Sequence, residues 1–113
     1  MAVSTLKAPT ETVSTTIGSV QSMNVVARMQ GNILFLSGYI VTSTNQTFTA
    51  DTTVCFSVDK KPSANRFFTV QAYAGGNPYV YVVKLNANGE VVFNNTVTVG
   101  TTYLFFNASL PIS

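Results

Sequence analysis

Histidine and tryptophan are both missing from this sequence, and Cys55 is its only cysteine. Without histidine, the commonest general base and the commonest zinc ligand go together. A single thiol permits no intrachain disulfide, and within TVCFSV it reads as a small buried side chain. Charge is scarce as well: 9% of residues, against about a quarter in ordinary globular domains. Six Lys and Arg are scattered along the chain and the formal net charge is +2, so no basic stripe follows a nucleic-acid backbone. The acidic residues are Glu11, Asp51, Asp59 and Glu90. A glycoside hydrolase needs two carboxylates at a set separation, one with a raised pKa, whereas Asp51 before a strand and Glu90 after Asn-Gly read as turn residues. No Ser-His or Cys-His pair exists, so no catalytic residue, metal site or cofactor is assigned and the chain is read as a non-enzyme. The first residues, MAVSTLKAPTETV, lack the apolar stretch of a signal peptide, and no run approaches the roughly 20 apolar residues of a membrane helix. The expectation is a soluble protein made in a cytosol, without membrane insertion.

What is present is β-forming. At 113 residues the chain holds one core. Residues 1–20, rich in Ser and Thr with Pro9, read as an N-terminal arm or linker, and residues 21–113 as the domain. Strands are predicted at Val25 to Met29, Ile33 to Thr42, Thr52 to Val58, Arg66 to Ala74, Tyr79 to Leu85, Glu90 to Asn94 and Thr101 to Leu110. Ser43 to Thr47 reads as a polar loop, Thr96 to Val99 as continuing the sixth strand or bulging from it, and Val13, Ile17 and Val20 as a short edge strand or extended arm. Gln30-Gly31-Asn32, Gly75 to Pro78 and Asn86-Ala87-Asn88-Gly89 supply turn chemistry between them. No segment of eleven or more residues has a helical period. About seven strands with frequent turns predict an all-β, compact antiparallel β-sandwich or barrel, jelly-roll or Greek-key-like.

The alternation within those strands is unusual. In GNILFLSGYIVTS, Ile33, Phe35, Tyr39 and Val41 point one way while Leu34, Leu36 and Ile40 point the other. YVYVVKL and YLFF repeat the pattern. A single sandwich buries only its inner faces, so the outer apolar set needs a second cover. An arm of about 20 polar-rich residues shields one strand rather than three, which makes association of identical copies the expectation.

Read in order, ARMQGNILFLSGYI, DKKPSANRFFTV, VYVVKLNANGEVVF and VGTTYLFFNASLPIS resemble the C-terminal head domain of phage tail receptor-binding proteins, over about Met23 to Ser113. The resemblance implies a compact β head in the virion, at a tail tip or fibre, made in the host bacterial cytoplasm. It implies a homotrimer that contacts other tail proteins and binds host cell-surface saccharide. The long attachment region and stalk of fuller members have no counterpart, so a cut-down form or a stand-alone head is expected. A sugar site needs a flat aromatic face and planar polar groups. The densest such combination is Tyr73, Asn77 and Tyr79, with Arg66, Asp59 and Asn65 as possible neighbours. Two rivals accompany this reading: a structural capsid-decoration or fibre-cap module with no ligand, and a depolymerase fragment, against which the scarcity of carboxylates argues.

Overall fold

The computed structural model describes residues 10–18, 20–42 and 45–113. Eleven strands make up the described chain: β1 (Thr10–Val13), β2 (Thr15–Ile17), β3 (Ser22–Gln30), β4 (Ile33–Thr42), β5 (Gln46–Phe48), β6 (Val54–Val58), β7 (Arg66–Ala74), β8 (Asn77–Leu85), β9 (Glu90–Phe93), β10 (Val97–Val99) and β11 (Thr102–Pro111). The expected all-β antiparallel class is what forms. The seven predicted strands are present, and the four additional ones, β1, β2, β5 and β10, hold only three or four residues each. Segments so short carry too few alternations to stand out in a sequence.

Nine strands form one antiparallel sheet in the order β1-β3-β4-β11-β7-β8-β9-β6-β2. The two outermost strands are neighbours in the chain, separated only by Ser14. β1 pairs with β3 at one end of the order and β2 with β6 at the other, so this one segment nearly closes the sheet on itself. Closure removes the unpaired rows that make sheet edges adhesive. Thr10–Ile17, placed in an arm by its composition, is therefore part of the sheet, and Val13 is buried in the core. Residues 1–9 and 19 of the expected arm, and 43–44 of the expected loop from Ser43 to Thr47, lie outside the described residues.

Inward-facing residues from all around the sheet fill the interior: Leu34, Leu36 and Ile40 from β4, Leu104 and Phe106 from β11, Val83 and Leu85 from β8, Phe56 from β6. Phe56 meets Phe106 edge-on, with ring centroids 5.1 Å apart. The β5–β10 pair closes one end, where Phe48 stacks on Phe93 at 4.4 Å. Beside it, the hydroxyls of Thr42 and Thr102, both buried, donate to the Gly100 carbonyl at 2.5 and 2.9 Å. Those bonds offset the cost of taking two hydroxyls out of water.

Gly38 of β4 pairs with Val25 of β3, where only a residue without a side chain fits. Its φ is +128°, and a Cβ there would lie 1.9 Å from the Asn24 carbonyl oxygen. Gly38→Ala should therefore lower stability by on the order of 3 kcal/mol in urea unfolding, by separating β3 from β4. Gly76→Ala, with nothing within 4 Å and only its φ of +82° unfavourable, should lower it by about 1 kcal/mol.

Candidate functional site

The two-residue repeat sends one set of side chains outward, and the strand registers arrange that set in rows. One row runs Val41, Tyr103, Tyr73 and Pro78 across β4, β11, β7 and β8. The next runs Asn24, Tyr39, Phe105, Gln71 and Val80. Beyond it lie Val26 beside Ser37, Thr69 beside Val82, and Phe67 beside Lys84. Tyr39 is within about a ring's width of both Tyr103 and Phe105, at 6.0 and 6.2 Å.

Val26, Phe35, Phe67, Tyr73, Val80, Val82, Tyr103 and Phe105 are each 38 to 64% exposed, and among the described residues no segment lies over this face. Taking on the order of 200 Å² for an aromatic side chain and somewhat less for valine, these eight hold roughly 700 Å² toward solvent. The largest apolar patch on a typical monomer is about 300–600 Å². A standard interface takes about 800 Å² from each partner. The chain does cover its own outer face at one corner. Val92 beside Lys84 is buried, and there Asp51 donates its N–H to the Phe93 carbonyl at 3.0 Å and pairs its carboxylate with the Lys84 ammonium. Midway across the open face, Thr69, Gln71, Phe105 and Asn107 line a hollow of about 190 Å³.

The six residues singled out from the sequence divide between two ends of the molecule. Asn77 and Tyr79 stand at the β7–β8 turn, and Tyr73 pairs across it with Pro78. Tyr73 points to the outer face, while Tyr79 lies opposite buried Ala72 and points to the other side. Arg66 is at the far end of β7, opposite Leu85, some seven strand residues or about 23 Å from Tyr73. Its guanidinium donates to the Pro111 carbonyl at 2.6 Å and to the Ser63 hydroxyl at 3.1 Å, which ties the loop of residues 59–65 to the end of β11. Asp59 and Asn65 are exposed at that same end. The structure thus brings Asn77 together with Tyr79, keeps Tyr73 nearby on the opposite face, and does not bring Arg66, Asp59 or Asn65 to them. Sequence proximity to a strand's first residue says nothing about its last.

Tyr81 was not singled out, although it follows Asn77 and Tyr79 on the same face at two-residue steps. Its ring is nearly parallel to that of Tyr79, 13° between planes and 6.3 Å between centroids. The repeat Asn-x-Tyr-x-Tyr carried that signal.

Other chemistry is sparse. Glu11 pairs with Lys60 at 3.1 Å, and Glu90 accepts from the Asn86 amide at 3.3 Å. Among the described residues no three His, Cys, Asp or Glu side chains converge. No protein-family model matches the chain, and no curated protein matches it either.

Cys55 is buried in β6, and burial pushes its thiol up from 9.0 to about 12. Burial favours the neutral thiol, so its contribution is complete below pH 9 and is lost as pH rises toward 12, where the unfolded chain ionises first. Relative to Cys55→Ala, the parent protein should lose about 1 kcal/mol of stability per pH unit above pH 9 in denaturant titrations. Native protein should also resist alkylation at pH 8 and react once unfolded.

Proposed function

We propose that this chain is a homotrimeric head domain of a virion tail or fibre that holds host cell-surface saccharide by reversible, multivalent contacts. The observation that carries the reading is the uncovered apolar face of β3, β4, β11, β7 and β8, whose area is that of one side of a standard interface. Identical copies packed through it would bury those side chains at about 25 cal/mol per Å² and would set several weak sites side by side. Linked weak sites bind tightly together because each raises the effective concentration of the next. The ordered resemblance to phage head domains supports the virion setting. The charges on the face are few, Arg28 beside Phe35 and Lys84 paired with Asp51, which supports burial of the rest against a like surface. A structural cap module is favoured by the same face, since assembly alone accounts for it.

Light scattering should give three times the monomer mass at micromolar concentration, and Phe105→Ser combined with Val80→Ser should give folded monomer. A parent chain that stays monomeric removes the assembly reading. Selective binding on a bacterial glycan array separates the adhesion head from the cap module, which predicts a silent array.

A further inference from the structure

β8 is longer than the strand that flanks it. β7 pairs with it from Asn77 to Leu85, but β9 reaches only Val83 to Leu85. Past that point, among the described residues, one edge of β8 has no strand beside it. Val82 still gives its carbonyl to the Asn94 N–H at 3.0 Å. By the two-residue repeat, the N–H and C=O of Val80 face the same side, where β9 has ended.

A hollow of about 130 Å³ opens along this edge, lined by Val80, Tyr81, Val82, Phe93, Asn95 and Val97. Every one of those residues is uncharged. Tyr81 is anchored against Phe93 at 5.7 Å, and Tyr79 stands beside it, 46% exposed with its ring nearly parallel. Asn95, which lines the hollow, and Asn77, two residues before Tyr79 on β8, are both exposed.

Two kinds of ligand suit a strand edge beside an apolar hollow: another strand, or a small molecule with donors and acceptors. Pro78 decides between them. It occupies the same side of the edge as Val80 and has no N–H, so a ladder started at Val80 cannot continue. One backbone donor, one backbone acceptor, two amides and two tyrosine rings remain. That set matches a pyranose, whose CH face lies on an aromatic ring and whose hydroxyls both donate and accept.

We infer that Tyr79 and Tyr81, with Asn95, Asn77 and the backbone of Val80, form a binding site for an uncharged pyranoside at the free edge of β8. This rests on the saccharide reading above and borders the assembly face: Val80 and Val82 line the hollow from that face, while Tyr79 and Tyr81 project to the side of β8 opposite Tyr73. The absence of Lys or Arg from the lining selects neutral sugars over phosphate-bearing wall polymers.

The test is a titration of isotope-labelled protein with methyl glucoside and with N-acetylglucosamine, followed through backbone amide shifts, alongside a glycan array of neutral and phosphorylated wall saccharides. Saturable shifts should be confined to residues 77–82 and 95–97. Tyr79→Ala and Asn95→Ala, both at exposed positions, should each weaken array binding at least tenfold while Asn65→Ala, at the other end of the molecule, changes it less than twofold. Array binding that survives both substitutions, or that Asn65→Ala abolishes instead, overturns this site and leaves the saccharide reading standing. Binding only to phosphorylated polymers, lost with added salt, overturns the neutral-sugar assignment. A silent array with no amide shifts overturns the site together with the saccharide reading.

Discussion

Ten consecutive residue pairs join β4 to β11, from Thr102 opposite Thr42 to Pro111 opposite Ile33. No other ladder of the fold is longer, and it links chain segments some sixty residues apart. Everything else hangs on it: β3 and β1 extend the sheet from the β4 side, β7, β8, β9, β6 and β2 from the β11 side. Because the pairing is in step along its whole length, every inward residue of β4 meets an inward residue of β11, and likewise outward. A slip of one residue would put Phe105 in the core and Phe106 in solvent. Leu34 beside Leu110 and Ile40 beside Leu104 are fully or almost fully buried on the inner side. That inner match holds the register, and the register then sets Tyr39 beside Phe105 on the outside.

The outer face follows from this constraint and is not an independent feature. Once the interior has claimed one half of each strand, the apolar groups on the other half have nowhere to go within the described chain, except at the corner where Asp51 reaches Lys84. Two different surfaces result. One is broad, flat and apolar, across the middle of the sheet. The other is narrow, at the overhanging part of β8, where a missing neighbour strand leaves backbone groups and tyrosines accessible. The proposed assembly and ligand recognition make opposite demands, since one needs area and the other needs directed polar groups, and the two surfaces, which meet at Val80 and Val82, differ in those two respects.

Polar economy inside the barrel is strict. The two buried threonines share one carbonyl acceptor, and no buried side-chain nitrogen or oxygen among the described residues lacks a partner. Cys55 stays neutral because burial removes the water that would stabilise its thiolate. Such an interior contributes stability and specificity of register but no reactive group, so the accessible chemistry lies on the outside.

Much of this was legible in the residues. Alternation of apolar side chains and the Gly and Asn turns located β4 and β7 to the residue and the other long strands within a few positions, and the greasy outer half of β4, β8 and β11 was visible as a pattern. β5 was not, and the segments of β1, β2 and β10 were read only as a possible edge strand or arm and a possible continuation of β9, because three or four residues hold too little alternation to be read firmly and their pairing partners are distant in the chain. The candidate site was legible only in part. Asn77 and Tyr79, picked out together, do share one face of β8, but Tyr73 joined them through proximity in sequence although alternate residues of a strand face opposite ways, and Arg66 joined them although a nine-residue strand separates its two ends. By itself, the sequence determined an all-β chain with apolar residues on both faces, no histidine and little charge, because those properties depend on residue type and local period. Only the tertiary structure decided that Thr10–Ile17 closes the sheet, that β8 outruns β9, and which side chains share a surface, because these depend on long-range register, which no local stretch of residues encodes.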